Sequence, residues 1–147
     1  MLGGNQDSFE SIVNSLTPRP HTQNRAYTTT QIGTTEYQNQ TNASICNRVI
    51  KHNDGTISAT WTMAIDPAFA DRGTGYNYFD GANWAASPTV KIEGVRTGFT
   101  NIGVTSTGGE VIVAHEASNI HVSTRPAKGT GAPRLSDRVT REVVGVY

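Results

Sequence analysis

A single cysteine, Cys46, stands in 147 residues, and that scarcity excludes both an intramolecular disulfide framework and a thiolate metal cluster. With Ile45 and Val49 beside it, Cys46 is expected as a small buried apolar residue rather than a nucleophile. Long hydrophobic runs are also missing: no apolar stretch approaches the roughly 18 residues of a membrane span. Charge of one sign is missing as well. The 12 basic and 12 acidic residues cancel, and no run of like charge occurs, which leaves no electrostatic footprint for nucleic acid or an anionic membrane surface. The N-terminus, Met1 to Asp7, has neither a basic n-region nor an apolar h-region, so an export signal is expected outside this chain if the protein is secreted. His21 and His52 lie too far from His115 and His121 in the chain to suggest zinc. No metal or cofactor is expected.

What is present is Thr, Ser, Asn and Gly, with a charged fraction of only 16%. This balance is common in extracellular all-β proteins, and it points to an extracellular or cell-surface location. The organising stretch is 53–84. It contains two turn signals, Asn53-Asp54-Gly55 and Asp80-Gly81, each between residues of high strand propensity, and so reads as two hairpins joined into a four-stranded antiparallel meander. Strands are expected at 45–52, 56–63, 76–79 and 84–92, with Pro88 tolerated at a free edge. Turn and strand return at 107–115, with Gly109 in the place of Gly55 and His115 in the place of Trp61, about one propeller-blade period later. The second unit is expected to have strands at 99–106, 110–115 and 120–124, followed by a tail strand.

Ahead of both units, Phe9, Ile12, Val13 and Leu16 fall at i, i+3, i+4 and i+7, the spacing of a short amphipathic helix or a frayed leader. The prolines at Pro18 and Pro20 then extend the chain. The expected organisation is therefore a leader and linker at 1–25 and blades over 26–147. The first blade covers 45–93, the second 99–135, and the tail strand 136–147.

At Tyr78-Phe79-Asp80-Gly81-Ala82-Asn83-Trp84 the chain resembles the Asp-box, or BNR repeat, of sialidase-like β-propellers. It has one residue fewer between Asp and Gly than that family's pattern, and Tyr78 where the pattern has Ser. The wider stretch 32–131 resembles the blade sequences of large secreted bacterial proteins exported by the type IX route. That likeness is carried by Asn47-Arg48-Val49, Asp54-Gly55-Thr56-Ile57, Asp71-Arg72-Gly73-Thr74-Gly75-Tyr76 and Lys128-Gly129-Thr130-Gly131. The resemblance implies a fold role for Asp80, Gly81 and Trp84: the carboxylate caps turn amides and the indole packs between sheets. It implies no catalytic residue here, since the arginine triad, tyrosine nucleophile and acid of sialidases have no recognisable counterparts.

The fold class expected is thus all-β, a partial β-propeller of about two four-stranded antiparallel blades. Two blades leave edges open, so further blades or self-association are expected partners. Alternating loop ends would bring Asp71, Arg72, Arg96, His115 and Glu116 to one rim, where propellers hold ligands. Against this stand plainer readings: a loop-internal role for Asp71 and Arg72, and a surface position for His115, whose neighbour Glu116 points to the other face of the strand. Trp61, Tyr76 and Tyr78 offer the aromatic surface of a sugar-stacking platform, against which inter-blade packing is the plainer expectation for Trp61. The functional expectation is a non-enzymatic scaffold or a module recognising carbohydrate or protein. Its alternative is a fragment of a sialidase-like glycoside hydrolase, with Asp71 or Glu116 as the acid and Arg72 and Arg96 binding an anionic sugar.

Overall fold

The computed structural model describes residues 27–41, 46–117, 119–130 and, as backbone, 134–140. The expected helix at 7–16 and the tail beyond Thr140 lie outside these residues. The chain divides into two compact units, Met1–Thr30 and Gln31–Tyr147. Of the first, only 27–30 is described, without regular structure.

The second unit is all-β among its described residues. Strands β1 (Val49–Lys51), β2 (Ile57–Met63) and β3 (Gly73–Phe79) form one antiparallel sheet; β4 (Gly98–Val104), β5 (Glu110–Glu116), β6 (Asn119–Arg125) and β7 (Arg134–Thr140) form another. The expected strand at 84–92 is a correction. Only a bridge between Phe79 and Trp84 and a bond from Ala85 N to Tyr78 O remain of it. Pro88, having no N–H to give a ladder, lies in a segment that leaves the sheet and touches it again at Ile92, whose N–H bonds Thr74 O. The first sheet therefore has three strands rather than four. Conversely, 73–75, read as loop, belongs to β3, because Gly75 lets the backbone lie flat beneath the Trp61 ring: a Cβ there would meet the indole at 2.5 Å.

The two sheets repeat one plan. β5 corresponds to β2 residue for residue with a shift of 53, from Ile57 and Glu110 to Met63 and Glu116, and β6 corresponds to β3 with a shift of 46. Pairing register repeats too: Val49↔Ala59 and Lys51↔Ile57 become Ile102↔Ile112 and Val104↔Glu110, while Ile57↔Phe79 becomes Glu110↔Arg125. The turns match, since His52 N bonds Thr56 O and Gly55 N bonds His52 O, as Thr105 N bonds Gly109 O and Gly108 N bonds Thr105 O. Gly55 and Gly108 both take positive φ, 85° and 82°. The counterpart of Gly55 is therefore Gly108, not Gly109, and that of Trp61 is Ala114, not His115.

We call the face of the first sheet that carries Ser58, Thr60 and Thr62 its front. It packs on the second sheet, where Ser58 Oγ bonds Glu110 and Thr62 Oγ accepts from Phe99 N at 3.0 Å. In the shared plan, Glu110, Ile112 and Ala114 lie on the back of the second sheet. The sheets are stacked front to back, in one sense. The layer between them is largely polar: Thr60, Thr62, Thr74, Thr100 and Ser123 are buried with Ile102, Ile112 and Ala114. On the back of the first sheet runs the segment 31–40. Thr34 O accepts the Trp61 indole N–H at 3.2 Å, Ile32 O accepts Asn77 Nδ2 at 2.6 Å, and the Gln40 amide bonds both Thr62 N and Thr62 O at 2.9 Å, taking the place of β1 where that strand has ended.

Candidate functional site

Three polar constellations and one open groove bear on function among the described residues. The first constellation is buried between the sheets. Glu110, with no exposure, accepts from Ser58 Oγ and from Tyr76 Oη at 2.8 Å, and His52 Nε2 lies 2.9 Å from Ser58 Oγ and 4.0 Å from the carboxylate. Arg125 stacks on the Tyr76 ring at 4.0 Å, with its Nε 4.0 Å from Glu110. Ser, His and Glu meet here without forming a nucleophilic triad, because the carboxylate contacts the hydroxyl rather than the far imidazole nitrogen, and Ser58 is fully buried. Burial, and then the hydrogen bond to Glu110, push the Tyr76 hydroxyl up to about 12. The arrangement is structural: β2, β3, β5 and β6 each contribute to one buried polar network.

The second is the rim. Loop 64–72, the crossover before β4 and the β5–β6 connection share one end of the stack, opposite the three turns at Asp54, Asp80 and Gly108. Asp71, Arg72 and Arg96 are gathered there. Asp71 accepts from Ile65 N at 2.9 Å and Asp66 N at 3.1 Å, and the Ile65 amide foremost holds its carboxyl below the usual carboxylate range. Arg72 donates from Nε to Thr97 O at 2.9 Å and lies over the Tyr37 and Phe99 rings at 4.7 and 5.7 Å. Arg96 donates from Nε to Phe69 O at 3.0 Å. His115 is not part of this group; it is exposed on the front of the second sheet. Glu116 lies on the opposite face, its Oε2 2.6 Å from His121 Nε2, a diagonal cross-strand pair that periodicity alone did not single out.

The third comprises the capped turns. Asp80 Oδ1 accepts from Ala82 N at 2.8 Å and Asn83 N at 2.7 Å, which lowers its pKa, the Asn83 amide having the larger effect. The Phe79 and Trp84 rings meet at 5.6 Å. Asp54 accepts from Thr56 and pairs with Lys128 at 2.5 Å; Lys128 foremost draws its pKa down. The 126–130 turn is thereby tied to the first sheet, and Gly129 N also donates to Tyr76 Oη at 3.0 Å.

The groove lies on the back of the first sheet, beside Trp61. It has a volume of about 410 Å³. Residues 32–35 form one wall and Arg48 and Val49 the other, with Ala59 and Trp61 in the floor. Arg48 closes one end by donating to Gln40 O at 2.8 Å and Thr41 Oγ1 at 3.0 Å. Val49 is 59% exposed. The lining contains an indole, aliphatic surface, a guanidinium and an amide, and neither a carboxylate nor an imidazole. Cys46 is half-buried, its Sγ 4.0 Å from Phe99 O. No described group of three or more His, Cys, Asp or Glu is placed to hold a metal ion, and no described helix is long and apolar enough to cross a membrane.

No protein family, curated protein or solved structure matches this chain.

Proposed function

We propose that the chain is a non-enzymatic recognition module, made of two sialidase-like propeller blades of a secreted or cell-surface bacterial protein, that binds a carbohydrate or protein segment in the groove beside Trp61. The observation that carries this reading is the separation of acids from open surface. The groove is of ligand size and lined without a carboxylate or an imidazole, whereas Glu110 is sealed between the sheets and Asp71 is spent on loop amides. A general acid must reach the leaving group and hold a proton at working pH. Asp71, with a lowered pKa, does neither, so the hydrolase alternative lacks its acid there.

Support for the propeller part comes from the front-to-back stacking of two sheets of one register, the relation of successive blades about an axis; a two-sheet sandwich with facing fronts would reverse one of them. The Asp80 turn agrees with a structural Asp-box.

The test is a glycan and peptide array probed with the whole chain, together with a panel of fluorogenic glycosides. The expected result is binding that changes tryptophan fluorescence, without turnover. Val49→Lys, an exposed edge change, is expected to weaken binding at least about tenfold with little effect on the melting temperature. Release of fluorophore from any glycoside, or binding indifferent to Val49→Lys, would contradict the reading.

A further inference from the structure

An outer strand presents backbone donors and acceptors that a fold must cover, pair or leave to water, and this fold treats its edges unevenly. The edge of β3 is covered: Ala85 N bonds Tyr78 O, Ile92 N bonds Thr74 O, and Glu93 Oε2 takes the Thr74 N–H at 2.8 Å. At the edge of β4, Asn47 O accepts from Ile102 N at 2.8 Å and Asn47 Nδ2 donates to Ile102 O at 2.7 Å. β1 is different. Its ladder runs through alternate residues, from Thr60 N to Arg48 O and from His52 N to Thr56 O, so the N–H and C=O of Val49 and Lys51 point away from β2. No described group bonds them. Both residues are exposed, Val49 by 59%. Val49 is also a wall of the groove, and alternation puts Lys51 on the same face. Lys51 pairs with no described carboxylate and none lines the groove, whereas the guanidinium of Arg48 is already held by Gln40 O and Thr41 Oγ1.

From this edge we infer that the ligand is an extended peptide carrying a carboxylate, which joins β1 as a further strand. The inference rests on the recognition reading above and narrows its ligand from carbohydrate or protein to peptide. Outward backbone groups recur every second residue, about 7 Å apart, which is the period of another extended chain; a glycan has hydroxyls but no such row of alternating amides and carbonyls. The peptide residue bonded to Val49 stands on the groove side of the sheet, about 5 Å away, where a long apolar side chain reaches over Val49 toward Ala59 and Trp61. Two residues further along, the peptide passes beside Lys51, whose unpaired ammonium selects Asp or Glu there. The same charge disfavours the β1 edge of a second copy, which would bring another lysine.

The whole chain is tested against an array of short peptides in a Ser/Thr background, each with a Phe and, two residues on, Glu, Thr or Lys, alongside a glycan array. The Phe/Glu peptides are expected to be retained at least about tenfold better than the Phe/Lys ones, and Lys51→Glu to reverse that order. Methylating the backbone nitrogens of the best peptide one at a time is expected to abolish binding at every second residue of the paired stretch and to spare those between. That scan depends on no protein variant. Amide hydrogen exchange at Val49 and Lys51 is expected to slow at least about tenfold when the peptide binds. Retention of glycans alone overturns the peptide assignment and keeps the groove reading, while silence of both arrays overturns both. Peptide binding that is indifferent to Lys51→Glu, that loses no period of two on methylation, or that leaves the two amides exchanging freely also overturns the proposal.

Discussion

At the scale of single residues, the chemistry of this chain is decided by which polar groups are sealed in. Glu110 begins a strand whose inward neighbours are Ile112 and Ala114, and it is as buried as they are. Its hydrogen bonds from Ser58 and Tyr76 supply what water would have supplied. Tyr76 carries a consequence for alkaline stability. The unfolded phenol loses its proton near 10 and the folded one only near 12, so the fold holds that proton more tightly. This contribution is complete below about pH 10 and is lost as pH rises through about 12. Tyr76→Phe is therefore expected to lower stability at neutral pH by about 0.5–1.5 kcal/mol, through the lost hydrogen bonds, and to flatten the decline of the melting temperature between those pH values. Melting curves across that range check both effects. None of this network was legible in the sequence, because its members span 52 to 125 and meet only when the two sheets stack; the one available signal was a glutamate at the head of an apolar strand.

At the scale of elements, local chemistry and outcome agree closely. The Asp54-Gly55 and Asp80-Gly81 turns form where the dipeptides stand, and in each the aspartate caps amides of its own turn. β2, β5 and β6 follow their β-branched runs within a residue or two. Departures arise where a longer-range partner overrode the local pattern. β3 begins at Gly73 because Trp61 lies across Gly75, and the fourth strand shrank to a bridge because 85–92 turns away from the ladder. The glycine equivalence slipped by one since two adjacent glycines, Gly108 and Gly109, offered themselves for a single left-handed position. Gly108→Ala places a Cβ at φ 82°, with nothing within 4 Å to clash, and is expected to destabilise by about 1–2 kcal/mol from backbone strain alone. Urea denaturation measures it. A change indistinguishable from zero would show that the turn relaxes to another type.

For the whole molecule, the governing fact is a thin apolar interior. Ile102, Ile112, Met63 and small alanines are the buried hydrophobic residues described, set among buried threonines and serines. Each larger apolar side chain therefore matters, and Ile112→Ala is expected to cost about 2–5 kcal/mol. Thr100 Oγ1 and Ser123 Oγ, by contrast, are buried without a hydrogen-bond partner among the described atoms. Thr100→Val is expected to be neutral or stabilising, since it removes an unsatisfied hydroxyl at nearly constant volume. Paired denaturant titrations check this account of the interior: a large loss of stability for Ile112→Ala and none for Thr100→Val. The sequence by itself determined the all-β character, the turn positions and the recurrence of one hairpin plan, because alternation and glycine chemistry act within a few residues. Only the tertiary structure decided which face each strand buries, that the sheets stack front to back, that Asp71 serves its own loop while Arg72 reaches Thr97 O of the crossover, and that an open groove lies beside Trp61. Those outcomes depend on contacts between residues tens of positions apart, and no local pattern records which distant partner a side chain will meet.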